Sequence, residues 1–437
     1  MGGTFAGRTR DFRDRVTMSP EKQSRSVQCR WVAAGALWAA ASLVLFGGLI
    51  LAASAARAEP YMAVRDGYKC SQCHVNKTGG GARTDYGTVY MQTRLASGGS
   101  GETDAGPRTD AGQGRVGPNL ATSPSVTVGA DLRTSVLYAK FDHAPATTSF
   151  NRPASCESCH ASTPNGAGQG GGGKIGEAYL RLQPIADVAT IVYSTSLVPN
   201  AATRDFYGLI ETLPLDGYVK AGTFKLPNGL QNTWDYPFQH ASKGAGYQGL
   251  MGFESMYETG VEFGIEPGPL SLALSVTNPD NMQKSPSDKR YFLTGSLVGR
   301  IGLIGFNYAQ DPVTTKLTRT LTSGFIGASV GRFTLLGHSD WLEDNDSATN
   351  TKNTQQAGLA EVDFLIRRGH NLKYVVESRD PSLSHPSDVR DRQSLIYEPF
   401  LTTYLQMRFG YRKYSGLSAQ TNDNNGEQWF VEGHFVF

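Results

Sequence analysis

Several signals are missing from this 437-residue sequence, and each absence removes a class of function. Past residue 124 there is almost no helical periodicity, which sets a helical bundle aside for most of the chain. No glycine-rich loop follows a strand and opens a helix, so Gly79–Gly81 and Gly170–Gly173 read as flexible loops and not as phosphate cradles. No Ser, His and Asp order supports a hydrolytic triad. Charge of one sign is lacking too: 41 Lys/Arg face 39 Asp/Glu, which gives no footing for nucleic acid. Cysteine is scarce, with five residues in all, and the placement of four of them dominates the reading.

Those four stand in two Cys-Xaa-Xaa-Cys-His motifs 86 residues apart: Cys70-Ser71-Gln72-Cys73-His74 and Cys156-Glu157-Ser158-Cys159-His160. Each has the pattern of a c-type haem attachment site. Two thiols form thioethers to the haem vinyl groups, and the adjoining His becomes the proximal iron ligand. A zinc site, a disulfide or a thioredoxin-like motif are the alternatives for a bare CxxC. A His directly after the second Cys, twice, in an exported chain, selects the haem reading. Two covalent c-type haems are expected, on Cys70, Cys73 and His74 and on Cys156, Cys159 and His160.

Export is read from the amino terminus. Lys22, Arg25 and Arg30 precede an apolar run from Trp31 to Ala56, which ends in Ala56-Arg57-Ala58 before Glu59-Pro60. This is the order of a secretory signal peptide over residues 1–58, with Met18 a candidate start and an uncleaved membrane anchor the alternative. Cleavage after Ala58 removes eight of the 41 basic and three of the 39 acidic residues, leaving 33 against 36 and a net charge of about −3. Attachment of c-type haem takes place outside the bacterial cytoplasm, so the two readings agree.

Residues 59–96 form a small haem module, and 97–124 are a linker rich in Gly, Ser, Thr, Asp and Pro. From residue 125 to 437 the pattern becomes alternation in segments of about ten residues. Leu272, Leu274 and Val276 oppose Ser271, Ser275 and Thr277. Leu405, Met407, Phe409 and Tyr411 oppose Gln406, Arg408 and Arg412. Sixteen candidate strands start near residues 125, 174, 189, 203, 217, 255, 269, 290, 302, 319, 333, 355, 371, 391, 403 and 427. Connections after odd strands are long (142–173, 227–254, 278–289, 344–354, 380–390, 415–426), while those after even strands are tight turns. The last strand places Trp429, Val431, Phe435 and the terminal Phe437 on one face. Together these features predict an all-β fold: a transmembrane barrel of about sixteen strands, preceded by the haem module. Such a barrel leaves an aqueous lumen. Glu177, Arg181, Glu361, Asp363, Lys373, Glu377, Arg408 and Arg412 are expected to line it, most of them solvated and without a specific role. The topology puts the module and the carboxy terminus at the short-turn, periplasmic end. The second motif falls in the first long loop, 142–173, whose glycine-rich tail leaves its haem free to fold inward.

A low-spin haem needs a sixth ligand, commonly His or Met. His143 and His240 lie in loops on the outward side and are the candidates for the second haem. No further His lies within residues 59–124, which leaves Met91 as the candidate for the first. His338, His370, His385 and His434 read as structural or solvated.

The run Ala63-Val64-Arg65-Asp66-Gly67-Tyr68-Lys69 before Cys70–His74, with Tyr86-Gly87 and Tyr90 after it, resembles the fused cytochrome–porin family of bacterial outer membranes. In that family a short c-type haem module precedes a sixteen-stranded porin. The resemblance is detailed over residues 61–95 and architectural elsewhere. It implies electron transfer across the outer membrane, for example from extracellular iron(II), with Cys70, Cys73 and His74 binding haem. The second motif is a departure, since the best-known members carry one haem. The expected function is electron conduction between periplasm and exterior. The inner partner would be a periplasmic cytochrome or other carrier, and the outer one an extracellular cytochrome, a mineral or dissolved iron. Outer-membrane lipid surrounds the barrel, and no nucleic acid is involved. A peroxidase- or reductase-like haem enzyme with an open iron, and a haem-gated solute porin, are the competing readings.

Overall fold

The computed structural model describes residues 59–91, 95, 125–141, 167–197, 203–230, 257–278, 289–384, 389–402, 404–415 and 426–436. The expected signal segment 1–58 and linker 97–124, the motif at Cys156, Cys159 and His160, and His143, His240, His385 and Phe437 lie outside the described residues.

Sixteen strands close into one antiparallel ring, each paired with its sequence neighbours and the first with the last. They are β1 (Ser125–Phe141), β2 (Ala167–Ile185), β3 (Ala189–Ser196), β4 (Thr203–Leu213), β5 (Gly217–Lys225), β6 (Tyr257–Ile265), β7 (Leu270–Asn278) and β8 (Arg290–Gly299). The second half comprises β9 (Gly302–Pro312), β10 (Leu317–Val330), β11 (Phe333–Asp346), β12 (Thr351–Arg367), β13 (His370–Asp380), β14 (Arg390–Pro399), β15 (Leu405–Ser415) and β16 (Gly426–Val436). Closure leaves no unpaired edge, the condition for β-structure in hydrocarbon.

Alternation runs in the sense opposite to that of a water-soluble sheet. Along β7, Ser275 and Thr277 are buried and Leu274 is exposed; along β15, Gln406, Arg408 and Arg412 are buried and Phe409 is exposed. The exterior is a field of exposed apolar side chains, among them Phe263, Ile304, Phe306, Leu335, Trp341, Val362, Leu395 and Trp429. Exposed Leu and Phe beside buried Arg and Glu is the signature of a wall with lipid outside.

Two sequence expectations are corrected at the long-loop end. Residues 167–173 are not a flexible tail. They belong to β2, with Gly171, Gly170 and Gln169 opposite Val136, Leu137 and Tyr138 of β1. The connection expected over 344–354 shrinks to 347–350, because β11 and β12 stay paired out to Asp346 and Thr351. Polar residues in these outer extensions mimic a loop in sequence, yet backbone pairing does not depend on their polarity.

The expectation of solvated lumen charges is also overturned. Glu177, Arg181, Glu361, Asp363, Lys373, Glu377, Arg408 and Arg412 are all buried. Arg408 bonds Glu398 and Glu432, each at 3.0 Å, and Arg392 pairs with Glu377. Lys220 meets Glu262 at 2.7 Å, and Arg290 bridges Glu258 and Asp311. Charges withdrawn from water persist only when paired, and this lumen is lined with such pairs. It is also occupied.

Candidate functional site

The occupant is the segment that carries the first motif. Three short helices build it: α1 (Pro60–Asp66), α2 (Cys70–Cys73) and α3 (Asp85–Tyr90). Pro60 opens α1 with a preset φ, and Gly67 closes it in the left-handed conformation at φ 67°. The Gln72 side chain accepts from the Lys69 backbone N–H at 2.8 Å and caps α2. His74 follows at once, its N–H bonded to the Cys70 carbonyl at 2.9 Å, and pairs antiparallel with Arg83. Between them the chain reverses through Gly79, Gly80 and Gly81, all at positive φ, as glycine allows.

The motif helix is clamped from above by α3. Thr84 caps α3 by accepting from the Gly87 N–H at 3.0 Å, and its own hydroxyl donates to the Gln72 carbonyl at 2.7 Å. Gly87 then lies so close that a Cβ there would stand 2.2 Å from the Cys73 carbonyl oxygen. Tyr68, Tyr86 and Tyr90 pack around this crossing with ring centroids 5.7 to 6.1 Å apart, and the Tyr90 hydroxyl donates to Asp66 at 2.5 Å.

Both sides of the wall grip the module. On one side Tyr61, Met62, Val64, Tyr90 and Met91 share a core with Phe325, Leu336, Leu359 and Val375 of β10–β13. On the other, Val75 and Ala82 pack with Val192, Tyr207, Leu209, Tyr218 and Phe224 of β3–β5. Polar contacts follow the same division. Glu59 meets Lys373 at 2.8 Å, and Arg65 donates to Thr334 at 3.0 Å. Lys220 donates to Asn76 at 2.7 Å, while Lys77 pairs with Glu211 and Asp85 with Arg181. Lys69 donates to the carbonyls of Glu266 and Leu270, at 2.8 and 2.7 Å, where β6 turns into β7. The module therefore sits inside the ring at its short-turn end. The chain after β5 also enters the lumen: Leu230 joins the first core, and Gly229 touches His338.

Cys73 is buried while Cys70 is exposed. Protein nonetheless encloses Cys70 at longer range, and with the Glu266 carboxylate nearby its thiol is pushed up to about 11. Burial, with Cys70 alongside, raises the Cys73 thiol to about 12. Burial next to the Arg83 guanidinium lowers His74 to about 4, and its Nδ1 is buried without a hydrogen-bond partner. Two neutral thiols one helical turn apart, followed by a neutral imidazole with an unsatisfied nitrogen, could hold a haem by two thioethers and one iron bond. The residues present fit that group.

Met91 is buried in the first core, and its sulfur lies 3.3 Å from Nη1 of Arg83. His338 lies 3.0 Å from Asp340, His370 bonds the Tyr397 hydroxyl at 2.6 Å, and His434 bonds Gln406 at 2.9 Å and lies 2.8 Å from Asp131 across the β1–β16 seam. Each of the three thus stands beside a polar partner on the strand ring. The anchors Arg65, Lys69, Lys77 and Asp85 escaped the sequence reading. The partners of Arg65 lie 269 and 306 residues away, and no local pattern marks such a pairing.

No protein-family model matches the chain, and no curated protein matches it in sequence. Similarity to solved structures is extensive. An anion-selective porin from Comamonas acidovorans superposes with a TM-score of 0.51 at 12% identity, covering 72% of this chain and 100% of that one. OmpT of Vibrio cholerae, expressed in the outer membrane, gives 0.50 at 10% identity over 72% of this chain and 98% of its own. The in-vitro folded trimer form of OmpT gives 0.50 at 10% identity, covering 72% and 100%. The chain thus has the fold of outer-membrane porins, a closed sixteen-stranded barrel, with its lumen occupied by its own amino-terminal module.

Proposed function

We propose that this protein is a dihaem c-type cytochrome built into an outer-membrane porin-like barrel, and that it passes electrons between periplasm and cell exterior. One observation carries the reading. The Cys70–Cys73–His74 motif is held inside the strand ring, gripped by β3–β5 on one side and β10–β13 on the other.

A haem on Cys70, Cys73 and His74 would supply one-electron chemistry at iron. The chain's own residues do the rest. Cys70 and Cys73 anchor the group at the short-turn end, and His74 presents a neutral nitrogen. The Tyr68, Tyr86 and Tyr90 cluster and the buried Met91 exclude water on the wall side. The Lys69, Lys77, Asp85 and Glu59 contacts fix the module against the barrel, so the site cannot drift along the lumen. The hydrocarbon band of such barrels is about 25 Å tall. A haem held at the short-turn end would leave the rest of that band for a second one, carried by Cys156, Cys159 and His160, to cover. Met91 for the first haem, and His143 or His240 for the second, are the proposed distal ligands. The inner partner is a periplasmic electron carrier; the outer one is an extracellular cytochrome, a mineral or dissolved iron. A solute porin is disfavoured by the packing of the module against opposite walls, and a soluble two-domain peroxidase by the closed sixteen-stranded ring.

The test is made with haem-loaded barrel in sealed liposomes that enclose an electron acceptor. External dithionite should reduce the acceptor, and Cys70→Ser/Cys73→Ser should abolish this. An acceptor that stays oxidised with fully loaded parent protein refutes the proposal.

A further inference from the structure

The short turns at the occupied end sort their charge by side. Asp187, Asp216 and Glu266 stand in the β2–β3, β4–β5 and β6–β7 turns, which hold no basic residue. The next three turns carry Arg300, Arg332 and Arg368, with Arg367 at the adjoining end of β12, and no acidic residue. The β14–β15 turn is uncharged. Ring closure keeps the strands in sequence order, so the acids form one arc of the rim and the arginines another. Asp187, Asp216, Arg300, Arg332 and Arg367 are exposed and Glu266 is half-buried. Local contacts account for part of this: the Lys69 ammonium, held at the β6–β7 turn, stands near the Glu266 and Asp216 carboxylates. Glu266 accepts from Ser271 at 3.2 Å, and Arg332 donates to the Ile366 carbonyl at 3.2 Å, while Asp187, Arg300 and Arg367 remain on the exposed rim. Contact with lipid headgroups would call for the same sign all the way round, because the barrel meets lipid on every side.

The acidic arc is also where the motif sits. Lys69 grips the β6–β7 turn, and the exposed Cys70 follows it directly. A rim with one acidic and one basic arc has little net charge but a large in-plane dipole. Such a field steers an approaching charged protein to one place and one orientation.

We infer that the acidic arc is the docking surface for a small electron-carrier protein whose redox centre is ringed by lysine or arginine. The arginine arc repels that same basic face and so confines landing to the Cys70 side. The inference rests on the electron-transfer reading above: one electron passes between carrier and haem, one centre is oxidised as the other is reduced, and no bond or proton changes.

The experiment measures association of a small basic c-type cytochrome with the full barrel in lipid nanodiscs, and uses a small acidic cytochrome as the second probe. The triple variant Asp187→Asn, Asp216→Asn, Glu266→Gln should slow association of the basic probe about ten-fold at low ionic strength. The difference should vanish near ~0.5 M salt, where the Debye length is a few ångströms. Arg300→Gln, Arg332→Gln and Arg367→Gln together should leave that rate unchanged or raise it. An unchanged rate in the acidic-arc variant overturns the inference, as does a loss confined to the arginine variant or faster binding of the acidic probe to the parent. Association is read without the barrel's own haem. A parent lacking covalent haem would therefore sink the electron-transfer reading by itself, and the docking result would stand or fall separately.

Discussion

Gly87→Ala is the sharpest test of how the motif is held. In most helices this change is favourable, because alanine restricts the unfolded chain and suits the helix by about 0.5–1 kcal/mol. Here the added Cβ would stand 2.2 Å from the Cys73 carbonyl oxygen, 2.9 Å from its carbonyl carbon and 3.0 Å from its Cα. All three are backbone atoms of the motif helix, so no side-chain rotation relieves the clash. Either α3 lifts by about an ångström or α2 shifts, at a typical overpacking cost of about 1–3 kcal/mol. Steric cost wins over helix preference, and the expected sign is destabilisation of the module with the barrel intact. The assay compares covalent haem per chain, from alkaline pyridine spectra, with barrel folding, from heat-dependent gel mobility. On the haem reading proposed above, covalent haem per chain should fall while the mobility shift is retained. Val89→Ala, on the exposed side of the same helix, should load normally. If Gly87→Ala loads fully and resists heat or protease as well as the parent, the α2–α3 crossing is wrong.

Other expectations follow from the same contacts. Lys373 stands 2.8 Å from Glu59, 3.5 Å from Glu398 and 3.8 Å from Glu361, all withdrawn from bulk water. Lys373→Met removes the cation that Glu59 and Glu361 share and leaves Glu398 to Arg408; it should cost about 3–5 kcal/mol in urea unfolding, with a near-parental midpoint as the contrary result. Removal of residues 59–96 should convert a poorly conducting barrel into an open channel in planar bilayers; equal conductance before and after would deny that the module fills the lumen. Leu274→Lys puts a charge on the lipid face and should cost about 2–4 kcal/mol if it lies near the midplane, while Ser275→Ala, facing inward, should cost far less.

The wall was legible in the sequence because its physics is local. Period-two alternation assigns each residue to a face, and eleven of the expected strand starts fall within one residue of the observed ones, as at Ala189, Thr203, Gly217, Arg290 and Phe333. The larger misses, at β2 and β12, arose where glycine or polar residues lie in strand extensions. There the pattern weakens, but the hydrogen-bonding partner strand persists.

The inside of the barrel was another matter. The motif at Cys70–His74 is legible from five consecutive residues, because its pattern is a fixed local spacing. Where that motif stands depends on contacts such as Lys69 with the β6–β7 turn, Glu59 with Lys373, and Val64 against Gly327. Those contacts join residues hundreds of positions apart, and neither partner is unusual in its own neighbourhood. For the same reason the lumen charges looked solvated: Arg408 on a strand reads the same whether it faces water or Glu398 and Glu432. The sequence by itself determined the strands, their faces and the two Cys-Xaa-Xaa-Cys-His motifs, since each is encoded within a few residues. Only the tertiary structure decided that the lumen is occupied, that its charges are paired, and that the rim divides into acidic and basic arcs, because ring closure alone brings those residues together.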